Sequence, residues 1–372
     1  MAKKFIRHAS KIFFVGLNIL VVVLFLLACL TPHLNTENWW WIGYIGLVVP
    51  YLVLLLVLSI VFWIALKPKL AWVSLIALGI GWKQLSVLVA IHFTADLVKT
   101  KEPNMLRIVD WNVQSFNGLT KNKEAKKMVR NEIASSIAKL DPDIICMQEF
   151  NSATNNGEQA DNLLLFSKNY PYYFFSKDYQ RNKGQYHSGC IIFSKYPIIK
   201  SERIKYPAAE SLIYADVVKA NDTIRIYTTH LQSFKFKKED YDGLDNLGNT
   251  DEASVSASMN VFKKMNLAFK RRGKQANIVR EEIDQSPYPS IICGDFNDVP
   301  NSYTYFHIKG ERQDAFLKQR FGIGRTYIWM APTLRIDYML PDNNFEVRQF
   351  DLVDEDLSDH LMLVGDFKLK KN

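Results

Sequence analysis

Hydrophobic patterning divides the chain into two textures. Up to about residue 93 the apolar residues run almost continuously. Ile12–Thr31 is uncharged and rich in Val and Leu, and Trp39–Leu66 is uncharged as well. Crossing a bilayer takes about 20 apolar residues of helix, so both runs predict spanning helices. A third run, Leu70–Phe93, is interrupted by Lys83 and Gln84. A lysine near mid-span is costly unless it snorkels or faces protein. The prediction is therefore two to three transmembrane helices (about 12–31, 39–66 and 70–93) within a membrane anchor of residues 1–98. Trp39-Trp40-Trp41 and Trp63 flank the second run as interfacial aromatics do.

From about Arg107 the pattern breaks into short β-like runs. Strands are predicted at Arg107–Trp111, Ile144–Gln148, Tyr172–Phe175, Gly189–Phe193, Leu212–Val218, Ile224–Thr229, Ser290–Cys293, Tyr338–Leu340 and Leu361–Phe367. Amphipathic helices are predicted at Lys123–Leu140, Asn162–Asn169 and Ser254–Gln285. Strands alternating with helices predict a layered α/β or α+β domain over residues 99–372. The polar segment Phe234–Asp251 interrupts the pattern and reads as a surface excursion able to cover a site.

Charge orients the anchor. Lys3, Lys4, Arg7 and Lys11 precede the first run, the following connection Pro32–Asn38 has no Lys or Arg, and the next carries Lys67 and Lys69. The positive-inside rule puts the N-terminus and the 67–69 turn in the cytoplasm. Three spans then place the rest of the chain on the extracytoplasmic side of the inner (cytoplasmic) membrane, and two spans leave it inside. Lys99 and Lys101 count mildly against export. The first run also has the form of a cleaved signal peptide, with Leu26-Leu27-Ala28-Cys29 resembling a lipoprotein cleavage box. Two further apolar runs favour a retained multi-pass anchor.

The chain holds 46 Lys+Arg against 38 Asp+Glu, a formal charge of +8. Residues 1–98 carry seven basic and two acidic side chains, leaving 39 against 36 for the remainder. The second part is nearly balanced, so bulk charge does not favour nucleic acid as its partner. The basic run 263–274 reads as the solvated face of a helix or a contact for anionic headgroups. Cys29, Cys146, Cys190 and Cys293 lack close metal-ligand spacing and read as small buried apolar residues.

Candidate chemistry sits at the strand ends. Asn112 follows RIVDW, Glu149 follows DIICMQ, His230 follows IRIYTT, and Asp295 and Asn297 follow SIICG. Asp337 precedes YML, and Asp359-His360 precedes LMLVGDF. One such residue would be a turn or cap. Eight at six strand ends, where layered folds gather side chains, predict one site. Oxygen ligands without a Cys/His cluster favour Mg²⁺ or Mn²⁺ over zinc. Such an ion, with histidines and amides, suits the negative charge that builds on a phosphoryl group under attack. There is no G-x-S-x-G elbow, Walker loop or dinucleotide glycine fingerprint to support acyl transfer, nucleotide-driven work or hydride transfer.

The ordered segments WNVQSF, ICMQEF, SGCIIFSKYPI, YTTHLQS, ICGDFNDVPNSYTY, RIDYML and LSDHLML resemble the endonuclease/exonuclease/phosphatase superfamily over about residues 105–368. The resemblance implies a four-layer α/β/β/α sandwich. It implies Glu149 as principal metal carboxylate with Asn112 beside it and Asp359 as a second metal-site carboxylate. Asp295 would orient and deprotonate water, helped by Asn297. His360 would stabilise the transition state with Asp337 behind it, and His230 would contact phosphate. Arg335 reads either as a phosphate contact or as a partner for an acid. Asp298, Ser302, Tyr303 and Tyr305 read as shaping the turn after GDFN.

The expected function is metal-dependent hydrolysis of a phosphodiester, lipid or other phosphate ester, at the bilayer. YTTHLQS is more similar to the sphingomyelinase-like branch than to the apurinic endonucleases. A membrane-bound nuclease acting on DNA or RNA is the alternative, and a non-enzymatic scaffold is a third reading that the complete acidic and histidine set opposes.

Overall fold

The computed structural model describes residues 2–93, 97–98, 100–117, 120, 122–154, 161–208, 210–237, 240 and 252–370. Helix α1 (Ala2–Ala28) and helix α2 (Ile42–Leu66) are both long and apolar enough to cross a membrane. At 1.5 Å per residue, the 25 residues of α2 reach about 37 Å, more than the ~30 Å hydrocarbon core. Pro68, at a position where a missing N–H costs nothing, starts α3 (Pro68–Ile80). Phe25 and Ala28 of α1, Val49, Leu52 and Leu56 of α2 and Ala77 of α3 form a buried cluster. A buried hydrogen bond from Ser74 to Asn18 (2.8 Å) ties α3 to α1.

The third apolar run is not one straight span. Its helix breaks at Gly81, and α4 (Trp82–Leu88) bends 70° from α3. The 13 residues of α3 reach only about 20 Å. Lys83 and Gln84 belong to the bent part, which docks on the second domain. The Lys83 ammonium lies 5.2 Å from the Phe306 ring centre. The Gln84 amide donates to the Ala28 carbonyl (2.9 Å) and Thr31 (3.1 Å), and its oxygen accepts from Asn301 (2.8 Å). The two polar residues that interrupt the hydropathy are therefore a clamp between the domains.

After α4 the chain runs through β1 (Ala90–Ile91), β2 (Leu106–Asn112), α5 (Lys123–Lys139), β3 (Ile144–Ala153), α6 (Leu163–Ser167), β4 (Tyr172–Phe175) and β5 (Tyr179–Arg181). It continues through β6 (Tyr186–Ser194), β7 (Ile198–Lys205), β8 (Ser211–Lys219), β9 (Asp222–His230), α7 (Glu252–Asp284) and β10 (Ser290–Asp295). It ends with α8 (Tyr303–Lys309), α9 (Ala315–Gln319), β11 (Phe321–Gly322), β12 (Asp337–Pro341), β13 (Phe345–Val353) and β14 (Met362–Leu369). One sheet has the order β13-β14-β2-β3-β6-β4 with β5 also on β6, and the other β12-β10-β9-β8-β7; β1 pairs with β11.

Alternation along each strand sorts side chains into layers. Ile108, Ile144, Cys146 and Ile192 face Ile213, Ile226, Ile291 and Cys293 between the sheets. Their neighbours Val109, Ile145, Met147 and Phe193 point the other way, onto Val129, Ile133 and Ile137 of α5. Tyr214, Tyr227, Ile292 and Tyr338 pack outward on Ala276, Val279 and Ile283 of α7. The result is the four-layer α/β/β/α sandwich. Cys146, Cys190 and Cys293 are buried, unpaired core residues.

The anchor meets the sandwich at the N-terminal end of α2. Asn35, in the α1–α2 connection, donates to Asn277 (3.2 Å) and Tyr303 (3.3 Å), and Tyr44 donates to Asn266 (2.6 Å). Lys67 is at the opposite end of α2, beside Lys11.

Candidate active site

Strand pairing assembles the site. Asp295, last residue of β10, lies beside His230 in the parallel β9–β10 pair and opposite Asp337 in the antiparallel β10–β12 pair. Asn112 ends β2 in the facing sheet, and its amide donates across the sandwich to Asp295 Oδ2 at 3.1 Å. His360 precedes β14. Its carbonyl accepts from the Trp111 indole at 2.7 Å, which fixes the backbone against β2. Glu149 sits in a bulge of β3 between Met147 and Phe150 with φ of +53°. A bulge re-aims a side chain, and Glu149 lines the same cavity as His230, Asp295, Asn297, Asp359 and His360. The residues scattered from 112 to 360 are thus brought together.

Each expected residue has a defined place. His360 Nδ1 is 3.0 and 3.1 Å from the two Asp337 oxygens, and its Nε2 is 3.8 Å from Asp295 Oδ2. His230 Nε2 is 3.5 Å from the same oxygen. The Asn297 backbone N–H donates to Asp295 Oδ1 (2.8 Å), while its side-chain amide donates to the Leu231 carbonyl (3.0 Å). Asn112 Oδ1 accepts from the Gln114 N–H (3.1 Å), so both ends of the Asn112 amide are engaged in holding the site's frame. Thr326 accepts from the N–H groups of Ile336 and Asp337 and sets the start of β12.

Electrostatics separates the two central groups. Burial raises the Asp295 carboxyl, Asp337 raises it further, and His360, His230 and the Asn297 N–H pull it back, leaving it at about 6. Burial opposes charge on His360, but Asp337 and then Asp295 overcome it and push the imidazole up to about 10. Near neutral pH the site therefore pairs an ionised carboxylate with a protonated imidazole. His230 is also raised, with Glu210, Asp295 and Glu149 outweighing burial.

Asp295, Asp337 and His360 offer atoms within 4.8 Å of one another. His360 Nδ1 is already committed to Asp337, which makes this group a proton-handling array. Glu149, Asp359 and Gln114 line the same cavity, and their oxygens are of the donor type that a hard cation takes. Gln114 donates to Asp359 (3.0 Å), and its buried side-chain oxygen has no donor among the described residues. Gln114, two residues after Asn112 in WNVQSF, carries no signal of its own in the sequence, because it follows the strand end instead of closing it. Glu210, 3.9 Å from His230, stands two residues before the predicted strand Leu212–Val218, and a lone acid there reads as an ordinary turn residue.

Of the two readings of Arg335, the phosphate contact is overturned and the partner of an acid is the one observed. The Arg335 side chain is buried, donating to Asp314 (2.6 Å) and the Val87 carbonyl (2.7 Å), and it is absent from the cavity wall. It pairs with an acid and ties α4 to the sandwich. The basic run 263–274 is corrected in part, because Arg272 is fully buried against Asp298 (3.2 Å) and the Gln232 carbonyl (3.0 Å). Asp298 also accepts from Thr304, and Ser302 caps α8, so both shape the turn after GDFN. Phe234–Lys237 line or border the cavity, and most of the expected cover, residues 238–239 and 241–251, lies outside the described residues.

A model of the Endonuclease/Exonuclease/phosphatase family matches residues 111–360, about two thirds of the chain. The chain belongs to the endonuclease/exonuclease/phosphatase family. Members are hydrolases that generally use divalent metals, and this chain is a hydrolase of the phosphodiesterase, phosphatase or nuclease type. Residues 10–88 match a separate family described as a domain of unknown function (DUF8431). No curated protein matches. Similar solved structures include an endonuclease/exonuclease/phosphatase from Beutenbergia cavernae, 18% identical, covering 72% of each chain with a TM-score of 0.50. Another, an endonuclease/exonuclease/phosphatase family protein from Bacteroides thetaiotaomicron, is 17% identical and covers 73% of this chain and 100% of its own, with a TM-score of 0.50. These likenesses show the fold.

Proposed function

We propose that this chain is a membrane-anchored phosphodiesterase that hydrolyses its substrate by in-line attack of water. The observation that carries this reading is Asp295, ionised at neutral pH, set among Asn112, His230 and a His360 kept protonated by Asp337. Asp295 orients and deprotonates the water, which a base poised near the working pH does well. His360 and His230 donate to the phosphoryl oxygens as charge builds, from positions already arranged before reaction. Asn112 and the Asn297 N–H hold Asp295 in place. Glu149 and Asp359, with the Gln114 oxygen, would hold Mg²⁺ or Mn²⁺. When bound, such an ion neutralises phosphoryl charge and stabilises the leaving oxygen.

The anchor adds a sidedness. The sandwich contacts the end of α2 opposite the Lys67–Lys69 turn. With basic turns held in the cytoplasm of the cell that makes it, the catalytic domain lies on the extracytoplasmic face of the inner membrane. In this arrangement α3 returns from the Lys67–Lys69 turn toward the sandwich and α4 bends onto it, so the broken pair would make the third crossing.

The test is hydrolysis by the purified full-length chain of a phosphodiester chromogen, phospholipid vesicles and plasmid DNA, each with and without Mg²⁺. Magnesium-dependent turnover of the chromogen or lipid, lost in His360→Ala, supports the reading. DNA cleavage with lipid untouched would replace it by a membrane-bound nuclease.

A further inference from the structure

The catalytic cavity joins the polar catalytic residues to a set of large apolar side chains, and the anchor supplies one of them, Leu47. The cavity's volume is about 780 Å³. That is towards the upper end of small-molecule pockets, which run roughly 300–1,000 Å³, and a phosphoryl group occupies little of it. Besides the carboxylates, histidines and a few other polar groups such as Lys235 and Ser233, the lining includes Leu47, Phe234, Phe236, Trp329 and Met330. Trp329 and Met330 are 53% and 55% exposed. Large apolar side chains left in water beside a cavity mark a contact surface.

Leu47 is the sixth residue of α2, a helix of membrane-crossing length. Gly43 and Gly46 precede it on the neighbouring helix positions. A methyl on Gly43 would come within 2.4 Å of the Phe269 ring, and one on Gly46 within 2.9 Å of the Asn301 carbonyl oxygen. The first turns of α2 are thus pressed onto the catalytic domain through glycine, and Leu47, four residues after Gly43, shares that face. It stands about 8 Å along the helix from its start, just beyond Trp39-Trp40-Trp41 at the interfacial end. Leu47 thus shares a helix face with Leu54 and Leu58, which are exposed on the part of α2 that is long and apolar enough to cross a membrane.

We infer that the site takes a phosphate ester of a membrane amphiphile, whose hydrocarbon chain rests against Leu47, Phe234, Trp329 and Met330 while its phosphoryl group reaches the catalytic residues. This deepens the phosphodiesterase reading and rests on it for the chemistry. Leu47 is a specificity residue supplied by the anchor: the domain that tethers the enzyme also selects for the chain of its substrate.

The test uses the full-length chain in phosphatidylcholine nanodiscs, with hexadecyl p-nitrophenyl phosphate and ethyl p-nitrophenyl phosphate, which differ only in the alkyl chain. The wild type is expected to prefer the hexadecyl ester. The ratio of kcat/KM for hexadecyl over ethyl should fall about tenfold in Leu47→Gln and in Trp329→Ser, as for loss of apolar pocket contact. Trp329 is half exposed, so its variant guards against misfolding as the cause. A second measurement needs no turnover: a hexadecyl phosphodiester bearing a diazirine on the chain carbons nearest the phosphate is photolysed in the His360→Ala protein. Label at Trp329 or Met330, reduced by adding Leu47→Gln, supports the inference. No label there, or a ratio unchanged in both variants, overturns it. If label lands there but neither ester is hydrolysed, the chain site stands and the phosphodiesterase reading fails. If both esters are hydrolysed equally and no label lands, the reverse holds.

Discussion

Replacing Asp337 by Asn tests the electrostatic pairing at the centre of the site. The substitution keeps size and an acceptor oxygen for His360 Nδ1, so it removes charge with little loss of geometry. Both Asp337 oxygens lie within 3.1 Å of that nitrogen, and Asp337 is the leading cause that raises His360 to about 10. An opposite charge this close shifts a pKa by roughly 1–3 pH units. Taking the middle of that range, the alkaline limit of activity should move from near pH 10 to about pH 8. At pH 9 the protonated fraction of His360 then falls from about nine tenths to about one tenth, while at pH 7 it stays near nine tenths. The variant should therefore be roughly tenfold slower at pH 9 than at pH 7, where the wild type is level. The assay is kcat/KM for a phosphodiester chromogen between pH 5 and pH 10. A profile parallel to the wild type, however far below it, would refute the idea that Asp337 keeps His360 charged.

Further outcomes follow from the same contacts. Activity of the wild type should fall on the acid side as Asp295 takes up a proton near pH 6, read as the acid limb of that profile. His360, raised above its unfolded value of 6.5, contributes stability that is fully present below pH 6.5 and lost as pH rises through about 10, measurable as a falling urea midpoint. Glu149→Gln should weaken Mn²⁺ binding at least tenfold by titration while leaving the thermal midpoint within a few degrees. Arg335→Ala should cost about 3–5 kcal/mol in chemical unfolding, because it strands buried Asp314. A surface arginine in the substrate path would cost far less. Asn301→Ala removes the donor to Gln84 and should cost about 1–3 kcal/mol, seen as earlier thermal unfolding.

Much of the site was legible because strand ends carry their chemistry next to the hydrophobic runs that mark them. Asp295 follows a buried run and His230 follows another, and the register of β9 on β10 does the rest. Side-chain direction outside a strand was not legible. Arg335 lies two residues before Asp337 but in the turn ahead of β12, where alternation says nothing, and its partners Asp314 and Val87 are remote in sequence. Hydropathy averaged across Gly81 hid the 70° bend, and Gln84 finds Asn301 217 residues away. Strand β7 was overlooked because its Lys, Glu and Arg lie on an exposed edge, where charge discourages pairing with other chains. Leu47 looked like any lipid-facing leucine, and only the close approach at Gly43 and Gly46 sets it apart.

The central claim is that Asp295 activates water in a metal-assisted site assembled from both sheets. Its most direct test is the turnover of a phosphodiester chromogen by the full-length chain with Mg²⁺, compared between wild type and Asp295→Asn. Loss of a general base predicts about a 10²–10⁴-fold drop in kcat with the fold intact by circular dichroism. Equal turnover by the two proteins, or wild-type turnover that EDTA leaves untouched, would contradict the account.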